Sequence, residues 1–121
     1  MSSDPYSATV RELFAHPAHA GVLDGGTRVP VAEQDVRLEL SALADGERIA
    51  ALRFRAWGCP HVIAAAEWAC ARLERASIAE LLEFSIVDLM DNLAVPVEKT
   101  GRILVLEDAI RSLGQALRDG T

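Results

Sequence analysis

The sequence predicts an α+β domain in which helices pack on one face of a small antiparallel sheet of about three strands. Two observations carry this prediction. Apolar and polar residues alternate through residues 36–43 and 48–57, whereas from residue 60 onward the apolar residues recur every three or four positions. The chain has 121 residues, half of them apolar, which is enough for one core. We therefore expect a single domain over residues 1–121.

The N-terminal part is predicted to be a short amphipathic helix followed by a loop. Apolar residues recur at helical spacing over residues 5–15, and Pro17 disfavours helical backbone at the residue before it. The next stretch, residues 17–30, is rich in Gly and Pro. Such a composition predicts a loop, here with a brief strand near Arg28 and Val29.

The two alternating stretches are predicted to form an antiparallel hairpin. In the first, Val36, Leu38 and Leu40 lie on one side of a strand and the intervening polar residues on the other. Asp45 and Gly46 then supply a sequence that favours a tight turn. The second stretch resumes the alternation up to residue 57, so we expect one face of both strands to be buried.

The remaining chain is predicted to be helical. After Cys59 and Pro60 the apolar period changes to about 3.6, which indicates a helix to about residue 75. Two short helices are expected to begin at serine–acid pairs with capping-box spacing, namely Ser77 with Glu80 and Ser85 with Asp88. A last helix precedes Gly120 and carries an apolar repeat of Ile103, Leu106, Ile110, Leu113 and Leu117.

Charge and composition exclude several classes of function. The formal net charge is -6 and basic residues are not clustered, which argues against a nucleic-acid partner. No apolar run approaches the ~20 residues of a membrane span, and residues 1–6 lack a secretory pattern, so we expect a cytoplasmic protein with reduced thiols. His16 and His19, on either side of a proline, are expected to be exposed. Since no nucleophile–base set is present, we do not expect an enzyme.

Four segments in order resemble the IscU/NifU family of iron–sulfur cluster assembly scaffolds. They are Tyr6 with Pro17-Ala18-His19-Ala20-Gly21, then Arg53-Phe54-Arg55-Ala56-Trp57-Gly58-Cys59, then Val95-Pro96-Val97-Glu98-Lys99, and finally Leu106-Glu107-Asp108-Ala109-Ile110. The second segment is the most specific, because it matches a strand that leads into a Gly-Cys turn at a helix start. The resemblance implies a SufE/NifU-like fold and a role in iron–sulfur cluster assembly.

The resemblance also implies where a site should be and shows how this chain departs from the family. Members use three cysteines and one aspartate on three adjacent loops, since soft thiolates suit iron–sulfur chemistry. Here Cys59 matches the second cysteine, whereas Ala32 stands at the first and Arg102 at the third. The family's aspartate corresponds to Gln34, or to Asp35 if the register slips by one residue.

The candidate site therefore centres on Cys59. Its place at a helix start favours the thiolate, so we expect it to accept persulfide sulfur or to bind iron or a cluster. His61 and Asp35 are the candidate additional metal ligands, and such a mixed set would suit zinc better than a cluster. Cys70 lies on the apolar stripe of its helix and is expected to pack in the core.

Two functions from different classes remain open. One is a scaffold or carrier that binds iron, a cluster or persulfide sulfur through Cys59, with ligands completed by another thiol or by the second chain of a homodimer. The other is a paralogue that binds no cluster and docks on a cysteine desulfurase or a chaperone. The resemblance implies recognition by an Hsp70-type chaperone through Val95, Pro96, Val97 and Lys99, although Glu98 puts a charge where the family has an apolar residue.

Overall fold

Within the part of the chain that the structure describes, the fold is an α+β arrangement of one sheet and five helices. In this computed structural model, residues 6–33 and 35–120 are described. In chain order the elements are α1 (Ala8–Ala15), β1 (Thr27–Glu33), β2 (Val36–Asp45), β3 (Arg48–Trp57), α2 (Pro60–Leu73), α3 (Ile78–Leu82), α4 (Val87–Asn92), a 3₁₀ turn (Val97–Lys99) and α5 (Thr100–Asp119). The fold class expected from the sequence is thus confirmed.

The sheet has the strand order β1-β2-β3, and both pairs are antiparallel. Its core face carries the aligned rows Val31, Leu38, Ala56 and Val29, Leu40, Phe54. Helix α5 contacts β1 and β2, while α2 contacts β3, so the helices cover this face. Strand β1 is longer than the brief strand expected from its sequence, because pairing with β2 along its whole length stabilises an extended backbone that its composition only weakly favours.

Of the two capping boxes predicted from the sequence, the structure contains the one at α3 and not the one at α4. The capping box at α3 is confirmed, since the Ser77 hydroxyl accepts from the Glu80 amide at 3.3 Å and the Glu80 carboxylate accepts from the Ser77 amide at 2.8 Å. The box predicted at Ser85 is wrong, because Ile86 is the N-cap residue of α4 and has no side-chain cap. The Ser85 hydroxyl accepts from the Val87 amide at 3.3 Å, and Glu107 of α5 accepts from the Ile86 amide at 3.0 Å, so one local and one tertiary hydrogen bond hold this helix start.

The segment between α1 and β1 pairs with the outer edge of β3 and then crosses the sheet. Phe54 donates its amide to the His19 carbonyl at 3.0 Å, and the Gly21 amide donates to the Phe54 carbonyl at 2.8 Å. The Leu23 amide then donates to the hydroxyl of Ser41 at 3.1 Å, on the sheet face opposite the core. The crossing covers the part of that face near Ser41 and leaves the part nearest Cys59 open.

Gly26 allows this crossing segment to lie against β2. A Cβ atom built there would lie 2.7 Å from the Ala42 carbonyl oxygen, which is too close for any side chain. We expect Gly26→Ala to lower the free energy of unfolding by about 1–3 kcal/mol, measured by urea denaturation. The control is Gly101→Ala, where no atom lies within 4 Å and helix propensity predicts a small gain. Equal stability of the two variants would contradict the packing role of Gly26.

No helix among residues 6–33 and 35–120 combines the length and apolarity that a membrane crossing requires. The longest, α5, is amphipathic and turns its apolar side to the sheet. Its buried apolar residues include those of the predicted repeat, Ile103, Leu106, Ile110, Leu113 and Leu117. The periodic pattern therefore identified the core side of this helix correctly.

Candidate functional site

Cys59 lies in the turn that connects the last strand to α2. After β3 ends at Trp57, Gly58 has φ 101°. Residues other than glycine rarely adopt this backbone conformation. Cys59 is the N-cap residue of α2, and its carbonyl accepts from the amides of Val62 at 3.0 Å and Ile63 at 3.2 Å. The side chain is half-buried. The fold therefore holds this thiol at a helix start with access to solvent.

The imidazole of His61 lies beside that thiol. Its side chain is 2% exposed, and its Nδ1 lies 4.0 Å from the Sγ of Cys59. The ring also packs against Tyr6, with 4.8 Å between the ring centroids. The other ring nitrogen, Nε2, has no hydrogen-bond partner within the described parts of the chain. Cys59 and His61 thus form a pair of polar side chains at the start of α2.

Burial sets the protonation state of His61. Desolvation is the largest effect and lowers the pKa below 6.5; the positive charge of Lys99 lowers it further, while Glu98 raises it. The imidazole is therefore neutral at pH 7. In the tautomer that carries its proton on Nε2, a neutral ring accepts a hydrogen bond from the thiol through Nδ1.

The other predicted ligands do not join this pair. Asp35 is exposed in the turn between β1 and β2, where its φ is 61°, and Gln34 lies outside the described residues. Neither Ala32 nor Arg102 has a side-chain atom that could bind a metal ion as a ligand. Where the chain is described, no three His, Cys, Asp or Glu side chains lie together in a way that could hold a metal ion. The predicted set of Cys59, Asp35 and His61 is therefore not assembled, because only two of its members are neighbours.

This donor set fits half of a metal or cluster shell. A thiolate and an imidazole are suitable ligands for zinc and for iron, but a tetrahedral site or a cluster needs about four. Cys59 and His61 supply two donors from one chain. Any iron or cluster carried here as cargo would take its remaining ligands from outside this chain's described residues.

Cys70 is the second cysteine of the sequence and has a different environment. It is 2% exposed within the core, as its place on the apolar stripe of α2 predicted. Burial raises the pKa of its thiol, the charges of Glu67 and Glu74 raise it further, and Arg53 opposes them. Because the thiolate is the reactive form, Cys70 is chemically inert compared with a solvent-accessible cysteine.

The predicted partner segment is only partly on the surface. Val95 is buried in the core, so its side chain does not take part in an open surface. Pro96 and Lys99 are half-buried, whereas Val97 is 83% exposed at the start of the 3₁₀ turn. The apolar side chain that this segment exposes at the surface is therefore that of Val97.

A partly buried charge cluster joins His19 to α2 and β3, and no motif in the sequence predicted it. The amide of His19 donates to Glu67 Oε1 at 2.6 Å, and its Nδ1 lies 2.6 Å from Glu67 Oε2. Its Nε2 lies 3.4 Å from Glu74, which in turn pairs with Arg53 at 2.6 Å. The expectation that His19 is exposed was wrong. The available signal was Glu67 itself, a carboxylate among alanines on the apolar side of α2.

Glu74 is held in its ionised form within this cluster. Desolvation alone would raise the pKa of its carboxyl group. Hydrogen bonds from the Leu52 amide and the Arg53 guanidinium, together with the charges of Arg53 and His19, outweigh it and lower the pKa below its ordinary value. The cluster therefore fastens the N-terminal loop, α2 and β3 to one another.

The three-stranded sheet, the helices on one face and the Gly-Cys turn between β3 and α2 together define a NifU-like α+β domain. The sequence matches the family described as NifU-like N terminal domain over residues 5–116. The chain belongs to that family, which confirms the resemblance inferred from the four sequence segments. No curated protein matches the sequence.

Solved structures share the fold at low sequence identity. A nitrogen-fixing NifU-like protein (N-terminal) from Brucella abortus has a TM-score of 0.76 at 11% identity, over 95% of each chain. A candidate iron–sulfur cluster assembly scaffold protein for the SUF system from Fervidobacterium islandicum has a TM-score of 0.60 at 16% identity, over 87% of this chain and 81% of that one. A hypothetical protein has a TM-score of 0.60 at 20% identity, over 93% of each chain. These likenesses establish the fold.

Proposed function

We propose that this protein is a cytoplasmic iron–sulfur cluster assembly protein of the carrier type, which accepts sulfur as a persulfide on Cys59. Membership of the NifU-like family supports the pathway. The observation that carries the proposal is the Cys59–His61 pair, in which a half-buried thiol at a helix start faces the Nδ1 of a buried imidazole at 4.0 Å. A carrier of this kind needs one accessible thiol and no complete metal shell.

The transfer uses groups that this chain supplies. His61 Nδ1 takes the proton of the Cys59 thiol as the sulfur attacks the outer sulfur of a persulfide on a cysteine desulfurase. Because burial disfavours the charged ring, the proton then passes to the departing donor cysteine. A bond forms between Cys59 Sγ and that sulfur, while the sulfur–sulfur bond of the donor breaks and its electron pair leaves on the donor cysteine. The step needs no external oxidant or reductant. The chain carries the sulfur onward and does not turn over a substrate of its own.

Iron or a cluster would be cargo at the same thiol. Since one chain offers Cys59 and His61, a shell of about four ligands would be completed by a second copy of the chain or by an external thiol. A homodimer in which each chain gives one Cys59 is one such arrangement. Zinc is the alternative metal for a mixed thiolate and imidazole set.

The test is persulfide loading with a cysteine desulfurase and cysteine, read as the gain of one sulfur atom by intact-protein mass spectrometry. We expect wild type to load, Cys59→Ser to lose loading, and Cys70→Ala to load like wild type because Cys70 is buried. Equal loading of Cys59→Ser would contradict the proposal. Anaerobic reconstitution with iron and sulfide then shows whether visible absorption, and therefore a cluster, also depends on Cys59.

A second candidate is a paralogue that binds no cluster and acts by docking on a desulfurase or a chaperone. It is favoured by Arg102, which stands where the family has its third cysteine, and by Val97, which is 83% exposed in the segment that resembles the chaperone motif. This candidate predicts that Cys59→Ser supports growth under iron limitation as well as wild type does. It also predicts that Val97→Asp does not.

A further inference from the structure

None of the residues that the structure describes covers the sheet face opposite the core at the end nearest Cys59. Two aligned rows of side chains occupy it, since residues on one face alternate along each strand. We call this surface the arginine–tryptophan face, and its residues are Pro30, Ala32, Arg37, Glu39, Arg55 and Trp57. They line a shallow concavity of about 270 Å³. The crossing segment before β1 covers the neighbouring row at Ser41 and stops short of this surface.

Two guanidinium groups lie against one exposed indole on this face. The Cζ of Arg37 is 4.8 Å from the centroid of the Trp57 ring, and that of Arg55 is 5.7 Å from it. The indole is unusually open for a tryptophan, at 44% exposed. Arg55 also pairs with Glu39 at 3.0 Å. Stacking restricts both arginines, so less side-chain entropy is lost when they bind a further group.

The charge of this face differs from that of the whole chain. The formal net charge of the protein is -6, yet the face carries two arginines and one glutamate. Glu39 is engaged by Arg55, and in the structure as described Arg37 forms no salt bridge with a carboxylate. A stacked guanidinium of this kind is a bidentate donor for a carboxylate. The chemistry that fits the face is therefore an acidic side chain of a partner.

The position of the face relates it to the thiol. Trp57 precedes Cys59 by two residues, so their Cα atoms lie at most about 7–8 Å apart. An interface of ordinary size centred on Cys59 extends farther than that distance. We propose that the arginine–tryptophan face docks an acidic segment of the protein that delivers sulfur to Cys59. This inference rests on the proposed carrier function and adds to it the surface and the charge by which the donor is recognised.

The chain contains a matched control for this surface. Arg72 stacks on Trp68, with its Cζ 4.0 Å from the ring, and both residues lie toward the C-terminal end of α2. At 1.5 Å per residue this end of the helix lies about 20 Å from Cys59. Arg37→Glu and Arg72→Glu each break a stacked arginine–tryptophan pair and change the net charge equally. Only the first lies on the proposed docking surface.

The affinity for the donor is measured by calorimetry on a Cys59→Ser background, so that it does not depend on thiol chemistry. The probe is the cysteine desulfurase of the same organism. We expect Arg37→Glu to weaken binding by about tenfold or more, Arg37→Ala to weaken it less, and Arg72→Glu to change it by less than about twofold. Binding of the Cys59→Ser protein with both arginines intact should weaken as NaCl rises from about 50 to about 300 mM. The dependence on salt should be smaller in Arg37→Glu.

Equal affinities of Arg37→Glu and Arg72→Glu for the desulfurase would overturn the docking surface. The docking surface would also be overturned if the Cys59→Ser protein with both arginines intact did not bind the desulfurase. Since Arg37 is exposed, both variants are expected to fold, which thermal unfolding verifies. The chemistry is tested separately by loading Cys59 from glutathione persulfide. Failure of that loading contradicts the carrier function, whereas the affinity comparison alone decides the docking surface.

Discussion

Replacing Glu67 with alanine is expected to lower the free energy of unfolding by about 3 kcal/mol, because it removes a buried carboxylate and leaves the His19 donors that face it without an acceptor. Glu67 is 3% exposed and accepts two contacts from His19, one from the amide and one from the ring, both at 2.6 Å. Water does not replace these contacts at a site of such low exposure. The measurement is urea denaturation at pH 7, with the m-value checked to confirm two-state unfolding.

Two further variants give the result its meaning. Glu67→Gln keeps an acceptor for the His19 amide and should lose less stability than Glu67→Ala. Glu74→Ala should also lose less, because the Glu74 side chain is 22% exposed and is partly solvated already. Hydrogen exchange of the Phe54 amide, which bonds to His19, should accelerate in Glu67→Ala. A loss of stability below about 1 kcal/mol would show that the cluster does not hold the N-terminal loop.

His61→Phe is expected to make the protein less sensitive to acid. The folded-state pKa of His61 lies below 6.5, its ordinary value, so the unfolded chain takes up a proton that the folded chain excludes as pH falls through 6.5. Wild type therefore loses stability over that range, whereas above it both states are neutral and the contribution is constant. Phenylalanine is similar in size and also removes the unpaired Nε2 from the interior.

The comparison is made as a difference between the two proteins. Thermal unfolding of each is measured at pH 7.5 and pH 5.5, and the difference cancels the titration of other groups that both chains share. The stability of His61→Phe relative to wild type should increase at the lower pH. A constant difference would mean that burial does not hold the imidazole neutral. An increase confined to the higher pH would reverse the sign of the effect.

The same variant addresses the reactivity of Cys59. If Nδ1 accepts the thiol proton, His61→Phe should slow alkylation of Cys59 by iodoacetamide at pH 7 by about tenfold or more. The two reactive atoms in wild type are 4.0 Å apart, so the ring is within reach after a small side-chain movement. The control is Tyr6→Phe, which keeps the ring that packs on His61. Equal alkylation rates in wild type and His61→Phe would leave Cys59 without a proton acceptor from this chain.

Periodicity in the sequence was sufficient for the sheet and the large helices. The alternation at Leu38 and Leu40 predicted the core face of β2, and the three-four repeat predicted the buried side of α5. These patterns are informative because each residue's environment depends on its position within one element. By contrast, one of the two hydrogen bonds at the start of α4 comes from Glu107, which lies 21 residues away from Ile86, and no local pattern could have shown it.

The sequence predicted where the candidate site lies, but it predicted only part of the set of side chains that surround Cys59. Cys59 and its turn followed from the Gly-Cys sequence between a strand and a helix, and the pairing of Cys59 with His61 followed from their spacing on one helix turn. The position of Asp35 depends on the shape of the turn between β1 and β2, which sequence alone did not determine. The role of His19 required the knowledge that its loop lies against α2.

The edges of the sheet limit how copies of this protein can associate. Along β3 the outer edge is occupied at both ends, by Gly21 near Phe54 and by Arg75 and Ala76 near Ile49. Along β1 the outer edge includes Pro30, which has no amide to donate. The addition of a strand from another molecule is therefore disfavoured at both edges of the sheet. This disfavours polymerisation through edge-to-edge pairing of sheets. A second copy that shared a cluster at Cys59 would have to approach through side chains and loops.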